Sequence, residues 1–243
     1  MLNQSTDKNL KMLDLGCGSA KTPGFIGLDR FRLEEVNIVA NLDNGGLPFA
    51  DNIFDIILAF HSLEHVTNIT DVMKEVWRIG KPGSQLCIVA PYYFSSLNIA
   101  NPYHKVAFNE NTPRFFTSSP ISKIPLEEYA MPPLGNIWGL GSFDNSDPGF
   151  DFRCIRMEFF YFQAYWHLSE REQRQARKKF INVCEQIMYH LIIFKPPLTE
   201  EGFDDLKLDL FMPIRLEDRR LQAEISRRKA KKKLLNFFWN KWG

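Results

Sequence analysis

Apolar residues form short runs separated by turn residues over the first ninety positions of the chain. The continuous run Phe54–Phe60 (FDIILAF) is typical of a central parallel strand that is buried on both faces. Apolar residues from His61 to Ile79 recur at helical spacing, with a break at which Asn68 or Thr70 would cap a second helix. Shorter apolar runs predict four further strands, at Leu10–Leu15, Phe25–Asp29, Val36–Ala40 and Ser84–Ala90. Strands that alternate with crossovers predict a doubly wound parallel sheet.

The second half of the chain has a less regular pattern. Residues 92–150 are rich in proline, asparagine, serine and aromatic residues, with one short helix candidate at Asn109–Thr117. An irregular segment of this length within a compact chain is usually functional. Phe152–Phe162 and Leu206–Phe211 are predicted to complete the sheet as two antiparallel strands. Two helices are predicted, at Leu168–Ile193 and Leu216–Leu235.

Aromatic residues are concentrated around the strand predicted at Phe152–Phe162. Two interpretations are open, the core of an α/β lid and a flat pocket for an aromatic ligand, and both can hold at once. The residues are Phe143, Phe150, Phe152, Phe159, Phe160, Tyr161, Phe162, Tyr165 and Trp166.

The composition is that of a soluble globular protein. The chain has 243 residues, of which 44% are hydrophobic and 24% charged. No apolar run reaches the roughly 20 residues of a membrane span, and the polar N-terminus has no signal-peptide core, so a cytoplasmic location is expected. The four cysteines stand far apart without a CxxC pair, which fits a reducing compartment, and no metal site is expected.

The formal net charge of +1 conceals a basic C-terminal tail. Residues 215–243 contain ten Lys or Arg but only three Asp or Glu. A solvated helix face is one interpretation, and contact with a membrane surface beside the aromatic segment NFFWNKW is another. Nucleic acid is not the expected partner, because the rest of the chain is acidic and shows no recognised RNA-binding module.

Five of the predicted strands have a polar residue or a proline at their carboxyl ends. The carboxyl ends of parallel strands share one edge of the sheet, where ligands bind in open α/β folds. The residues at this edge are Asp14, Asp29, Asn41, His61 and Pro91.

The segment LDLGCGSAKTPGFIGLDR joins the first two strands through a glycine turn. Gly16 and Gly18 allow the backbone to approach a ligand closely, and Asp29 stands where an acidic residue binds ribose hydroxyls in nucleotide folds. A dinucleotide site requires G-x-G-x-x-G at the start of a helix, but residue 21 is lysine. About ten residues separate the two strands, and the next crossover is as short, so neither leaves room for a normal helix.

The residues from Leu10 to Pro91 resemble the class I S-adenosylmethionine-dependent methyltransferases, in particular the methyltransferase-11-like ones. The resemblance rests on the glycine turn with Asp29, on Asn41–Val66 (NLDNGGLPFADNIFDIILAFHSLEHV) and on Glu75–Pro91 (EVWRIGKPGSQLCIVAP). It implies an α/β fold with a Rossmann-like, mostly parallel seven-stranded sheet, helices on both faces, and S-adenosylmethionine as cofactor. The implied cofactor-binding residues are Asp14, Gly16, Cys17, Gly18, Asp29, Arg30, Asn41, Leu42, Asp43 and His61.

The acceptor of the methyl group is predicted to bind at the same edge of the sheet. A general base is needed only when the acceptor loses a proton. His61 follows the fourth strand, and His104 lies in NPYHKVAF, similar to an Asn/Asp-Pro-x-His segment of some such methyltransferases; both are candidate catalytic residues. The candidate substrate contacts are Tyr92, Tyr93, Tyr103 and His104. His65, His167 and His190 are expected on helices, without a role in the site.

These observations predict methylation of a small-molecule or glycan acceptor, on oxygen rather than nitrogen. A non-catalytic S-adenosylmethionine-binding protein and an NAD-dependent oxidoreductase are the alternatives. The predicted organisation is a cofactor-binding half (1–91), an irregular acceptor-site insert (92–150), the rest of the sheet with a lid helix (151–214) and the basic tail (215–243). The short crossovers leave a flank of the sheet to be covered by the C-terminal helix, the helix from Leu168 or another subunit.

Overall fold

The computed structural model describes residues 10–117 and 149–242, with side chains through residue 233. They form one seven-stranded sheet in the order β3-β2-β1-β4-β5-β7-β6. All neighbouring strands from β3 to β5 pair in parallel, whereas β7 runs antiparallel to both β5 and β6. The strands are β1 Met12–Leu15, β2 Ile26–Asp29, β3 Ile38–Val39, β4 Phe54–Phe60, β5 Gly80–Pro91, β6 Phe152–Tyr161 and β7 Cys184–Ile193. This arrangement confirms the predicted Rossmann-like α/β fold.

Five α-helices accompany the sheet within the described residues. In α1 the Asn68 side chain caps the first turn by accepting hydrogen bonds from the backbone N–H groups of Thr70 and Asp71, as one of the two predicted caps. Short 3-10 turns lie at Leu42–Asn44, Leu63–His65, Thr112–Phe116 and Gln163–Tyr165. The helices are α1 Ile69–Ile79, α2 Ser96–Ala100, α3 Glu170–Lys179, α4 Glu200–Asp204 and α5 Ile214–Trp242.

Hydrophobic clusters cover both faces of the sheet. The larger one buries the apolar side of α1 (Val72, Met73, Val76 and Ile79) together with Phe108 and Phe116 from the insert. Aromatic residues predicted as a lid core or a ligand pocket also pack in these clusters. Phe150 and Phe152 lie in the larger cluster and Phe160 in the smaller, while Phe143 lies outside the described residues.

The first two crossovers contain no helix. Residues 16–25 join β1 to β2, and residues 30–37 join β2 to β3, through turns alone. The start of α5 and the residues just before it cover the sheet face that these crossovers leave open. Met212 and Leu216 belong to the smaller cluster, and Phe211 packs on Phe25 with ring centroids 5.0 Å apart. Of the covers considered from the sequence, the C-terminal helix is therefore the one that packs there.

The structure corrects three elements of the second half. Leu168–Ile193 is not one helix, because α3 ends at Lys179 and Cys184–Ile193 forms β7; His190 consequently lies on a strand and His167 in a turn. Leu206–Phe211 is not a strand, since the Gln85 side chain, rather than a neighbouring strand, bonds to Asp209 O and Phe211 N. Of the two strands added after the insert, only β7 runs against the others. The Asn109–Thr117 candidate is a 3-10 turn at Thr112–Phe116.

Candidate cofactor and acceptor site

A cavity of about 420 Å³ opens at the carboxyl edge of β1, β2, β3 and β4. Its volume falls within the range of small-molecule and cofactor sites. Eight of the ten predicted cofactor-binding residues line it, as does one of the four predicted substrate contacts. The eight are Gly16, Gly18, Asp29, Arg30, Asn41, Leu42, Asp43 and His61, and the substrate contact is Tyr103.

The glycine turn brings bare backbone to the wall of this cavity. Gly16 has a φ of 68°, and a Cβ atom there would lie 2.4 Å from Cβ of Ser62, so only glycine fits between β1 and the end of β4. The N–H groups of Gly16 and Cys17 both donate to the carbonyl of Leu28, which ties the turn to β2. A Cβ atom at Gly18 would have no neighbour within 4 Å, so the backbone borders open space there.

Asp29 holds the turn from the end of β2. Its Oδ2 accepts a hydrogen bond from Gly18 N at 3.0 Å, and its Oδ1 accepts one from Phe31 N at 2.9 Å. A carboxylate has about four acceptor positions, so two remain for further donors. A carboxylate that is fixed in this way at a cavity wall can bind a pair of neighbouring hydroxyl groups.

The turn after β3 is fixed by side chains on both sides. The Asn41 Oδ1 atom accepts from Asp43 N at 3.1 Å and begins the 3-10 turn. The Asp43 carboxylate accepts from Thr67 N at 2.6 Å and from Thr67 Oγ1 at 3.1 Å, just before α1. The backbone of Asn41–Asp43 is thereby held in place along the cavity.

His61 adopts an uncommon backbone conformation directly after β4. Its φ of 53° lies in the left-handed region, and its N–H donates to Val89 O at 2.9 Å. The ring nitrogen Nδ1 lies 3.3 Å from Glu64 Oε1, and Nε2 lies 2.7 Å from Gln186 Oε1. Burial of the ring opposes its charge, but the hydrogen bonds to Glu64 and Gln186 and the charge of Glu64 raise the pKa of His61 above its ordinary value.

His104 lies beside the cavity and packs edge-on against His65, with ring centroids 4.8 Å apart. Its Nδ1 is 2.7 Å from Asn98 Oδ1, and its Nε2 is 2.8 Å from Asn101 Nδ2. Burial lowers the pKa of His104, partly offset by the charge of Glu64. His104 is therefore a neutral imidazole near pH 7, with its proton on Nδ1.

Two predicted cofactor-binding residues lie outside the main cavity. Asp14 is buried and its Oδ2 accepts from Thr22 N at 2.8 Å; burial raises its pKa, and the Thr22 hydrogen bond counteracts the rise. Cys17 has a pKa raised to about 11, mainly by burial. Both line a smaller cavity of about 250 Å³ next to Arg215 of α5.

Two of the predicted substrate tyrosines also lie elsewhere. Tyr92 is 3% exposed and its hydroxyl donates to Glu110 Oε2 at 2.8 Å, while burial raises its pKa well above that of a free phenol. Glu110 pairs in turn with the buried Arg177 of α3 at 2.9 Å. Tyr93 stacks on Phe94 with ring centroids 3.9 Å apart. Tyr92 thus contributes, through Glu110, to the contact between the insert and α3.

Several residues that line the cavity were not predicted from the sequence. His65, which was expected on a helix without a site role, lies on the cavity wall next to Ser62 and Val66. Phe31 and Leu33 lie in a short polar loop and are 57% and 38% exposed. Large apolar side chains directly after Asp29 are the signal that could have identified this part of the wall.

The lining residues fit S-adenosylmethionine. Its ribose presents two hydroxyls that suit Asp29, and its cationic sulfur suits a wall on which two carboxylates, Asp29 and Asp43, accompany one guanidinium, Arg30. Residues 16–25 contain no helix whose N-terminus could bind a pyrophosphate, which argues against the dinucleotide alternative.

Comparison with known proteins finds similarity to methyltransferases. Residues 22–88 match the family model described as "Methyltransferase domain". The sterol 4-C-methyltransferase strm-1 of Caenorhabditis elegans is 32% identical over 104 residues, covering 33% of this chain and 31% of that protein. The ubiquinone/menaquinone biosynthesis C-methyltransferase UbiE of Dinoroseobacter shibae is 29% identical over 97 residues, covering 35% of this chain and 39% of that protein.

Among solved structures, this chain is similar to a SAM dependent methyltransferase from Archaeoglobus fulgidus. The two are 17% identical with a TM-score of 0.46, and the match covers 75% of this chain and 86% of that one. The chain spans well under half the length of the curated relatives it matches. The match over residues 22–88 shows that this part of the chain is similar to a methyltransferase domain, and the sheet order and the site at its carboxyl edge agree with that similarity.

Proposed function

We propose that this protein transfers the methyl group of S-adenosylmethionine to an oxygen atom of a small-molecule or glycan acceptor. One observation supports this most directly: a single cavity joins Gly16, Gly18 and Asp29 to His61 and Tyr103. The cofactor and a second ligand can therefore occupy one continuous space. Holding both reactants at near-contact distance is the main requirement of a direct displacement.

Each part of the cavity has a proposed role towards the cofactor. Gly16 and Gly18 pass along its methionine and ribose portions, Asp29 binds the ribose hydroxyls, and Arg30 packs along the adenine face. The turn Asn41–Asp43 lies along the adenine edge. The cofactor supplies a methyl group on a positively charged sulfur. Asp14 accepts a hydrogen bond from Thr22 N, so its proposed role is indirect: it fixes the conformation of residues 16–22.

His61 and His104 are the proposed acceptors of the proton that an acceptor hydroxyl loses. His104 is the more readily deprotonated of the two, because burial lowers its pKa. His61 is held more strongly in its charged form by Glu64, so it serves as a base at higher pH. Tyr103, which is 73% exposed, would contact the acceptor at the cavity mouth.

A non-catalytic S-adenosylmethionine-binding protein is the second candidate, and one observation favours it. Both ring nitrogens of His61 and both of His104 are already within hydrogen-bond distance of protein groups. Neither ring offers a free acceptor atom without a local rearrangement. Cofactor binding without transfer would follow if no rearrangement occurs.

Methyl transfer can be tested with the full chain and methyl-labelled S-adenosylmethionine. Phenols, sugars, sterols, quinols and fractions of a cell extract serve as acceptors, and S-adenosylhomocysteine formation is the readout. Transfer should require Asp29, and His104→Ala should lower turnover while it leaves cofactor affinity unchanged. Tight cofactor binding with no transfer to any fraction would support the binding protein. A labelled carbon or nitrogen atom in the product would overturn the preference for oxygen.

Two further contacts are proposed for the outside of the domain. The basic tail contacts an anionic membrane surface, because Arg228, Lys229 and residues 231–233 are exposed at the end of the described side chains. A second copy of the chain covers the edge at β3, where Val39 is 45% exposed. Flotation with phosphatidylserine vesicles tests the first proposal, and sedimentation equilibrium tests the second.

None of the described helices combines the length and apolar character that a bilayer crossing requires.

A further inference from the structure

One carboxylate and two imidazoles meet beside the acceptor end of the cavity. Glu64 and His65 follow β4, and His104 comes from the insert after β5. One ligand-capable atom from each of these residues lies within 4.8 Å of the other two. No sequence motif predicts a metal site here, because His104 is remote from the other two residues along the chain.

The hydrogen bonds of both histidines favour the tautomer that a metal ligand needs, with the proton on Nδ1. His65 Nδ1 donates to Tyr103 O at 3.1 Å, which leaves the lone pair of Nε2 at 3.9 Å from Glu64 Oε1. His104 Nδ1 donates to Asn98 Oδ1 at 2.7 Å, which leaves a lone pair on its Nε2. Metal-binding histidines almost always donate their other ring N–H to an oxygen acceptor in this way.

The Glu64 carboxylate is buried but incompletely satisfied. Its side chain is 1% exposed; Oε1 lies near His61 and His65, whereas Oε2 has no hydrogen-bond partner among the described residues. A buried charged oxygen without a partner is unfavourable, and a bound cation would remove that penalty. The Glu64 carbonyl also accepts from Lys105 N at 2.7 Å and Val106 N at 3.1 Å, so the segment that carries His104 is anchored to Glu64.

We propose that Glu64, His65 and His104 bind one divalent first-row transition metal ion. Two imidazoles and one carboxylate are a donor set that such ions accept, with the remaining coordination positions open. Bonds of about 2.0–2.2 Å place tetrahedral ligand atoms roughly 3.4 Å apart, so the three side chains must draw together by about 1 Å. The Asn101 amide must also leave His104 Nε2, which it contacts at 2.8 Å.

The proposal goes beyond methyl transfer, since it holds whether or not transfer occurs. His65 and Tyr103 line the cavity, so the proposed metal site borders the space assigned to the acceptor. In the metal-bound form His104 is a ligand rather than a free base. That leaves His61 as the proton acceptor for the proposed reaction.

The binding test uses the full chain after dialysis against a chelator. Titration with Co²⁺ should produce visible d–d absorption with a stoichiometry of one, and Zn²⁺ should displace it. Glu64→Gln, His65→Ala and His104→Ala should each weaken Co²⁺ binding by about 100-fold or more, and Asn98→Ala by about 10- to 100-fold. His167→Ala, which removes an exposed histidine, should leave binding unchanged.

A second measurement needs no variant and guards against loss of folding. In ¹⁵N-histidine spectra of the wild-type chain, Zn²⁺ should shift Nε2 of His65 and of His104 but leave His167 unaffected. Absence of these shifts at millimolar Zn²⁺, or Co²⁺ absorption that persists in all three ligand variants, would overturn the proposal. Neither readout depends on methyl transfer. A failure of the metal proposal can therefore be distinguished from a failure of the proposed function.

Discussion

Asp29 combines a structural and a binding role in one carboxylate. It accepts hydrogen bonds from the N–H groups of Gly18 and Phe31, which shapes the turn, and it borders the cavity with its remaining lone pairs. Asparagine at this position keeps an acceptor oxygen but removes the charge and half of the acceptor capacity. The effect of that change on binding therefore measures what the carboxylate contributes.

Asp29→Asn should weaken binding of S-adenosylhomocysteine by roughly 10- to 150-fold, since hydrogen bonds to a charged group contribute about 1.5–3 kcal/mol. Isothermal titration calorimetry measures the change. Asp218→Asn, at an exposed position of α5, is the matched control and should bind like the wild type. An affinity within twofold of wild type for Asp29→Asn would contradict the assigned ribose contact.

His61 should make stability depend on pH. Its folded-state pKa is raised above the ordinary 6.5, so the stabilising interaction with Glu64 is fully present below about pH 6.5 and is lost as the pH rises through the folded-state pKa. His61→Asn removes the imidazole but tolerates the positive φ. The excess unfolding free energy of wild type over this variant should be larger at about pH 5.5 than at about pH 8.5.

Urea denaturation in the presence of a chelator measures this difference without interference from bound metal. A difference that stays constant across the two pH values would mean that His61 and Glu64 do not interact as an ion pair. A difference that grows with pH would reverse the assigned direction of the pKa shift.

Some single-residue roles could be predicted from the sequence and others could not. Asp29 ends β2 and His61 follows β4, so their place at the sheet edge can be predicted from strand direction alone. Tyr92 also follows a strand, but its hydroxyl is taken by Glu110, which Arg177 of α3 holds in place. Only the packing of two distant segments distinguishes the buried Tyr92 from the exposed Tyr103.

The helix-free crossover between β1 and β2 depends on glycine at its tightest point. Gly16→Ala would add a Cβ atom 2.4 Å from Ser62 Cβ and would also require a non-glycine residue at a φ of 68°. Gly46→Ala meets nothing within 4 Å at a φ of 65°, so it carries the backbone cost alone. Comparing the two variants therefore separates the cost of steric overlap, present only in Gly16→Ala, from the cost of backbone strain, present in both.

Gly16→Ala should lower the unfolding free energy by about 1–3 kcal/mol more than Gly46→Ala does, because overpacking adds to the cost of the left-handed conformation. Thermal and urea unfolding of both variants measure the difference. Equal destabilisation would show that Ser62 can move away, and the turn would then be less tightly confined than described.

At the level of whole elements, apolar runs predict some strands correctly and others wrongly. Phe54–Phe60 was predicted with the bounds that β4 has. Cys184–Ile193 is also mostly apolar, but a buried strand and a buried helix cannot be distinguished by periodicity in so short a run. The sequence pattern therefore does not separate it from α3, which begins at the capping box of Ser169 and Glu172.

The molecule as a whole depends on its C-terminal helix to close the second hydrophobic core. Leu216 is 1% exposed and packs in the cluster with Leu58, Val89 and Met188 of the central strands. Ion pairs of Arg219 with Glu185, Arg220 with Glu158 and Arg227 with Glu170 continue the contact along α5. The first half of this helix is thus part of the fold.

Leu216→Ala should reduce the unfolding free energy by about 2–5 kcal/mol, as expected for a large-to-small change in a core. Leu221→Ala on the same helix is the matched control: this residue is 57% exposed, and its loss should cost no more than about 0.5 kcal/mol. Chemical denaturation measures both values. Similar effects of the two substitutions would mean that α5 does not close the core.

The position of β7 between β5 and β6 has a consequence for synthesis on the ribosome. Among the residues that the structure describes, β6 pairs only with β7, so its aromatic segment emerges before that partner has been made. Until β7 is complete, β5 also presents an open edge, and such edges invite intermolecular pairing. Nascent chains that end between β6 and β7 should therefore be the ones most dependent on chaperones, and slow translation across that interval should lower the yield of folded protein.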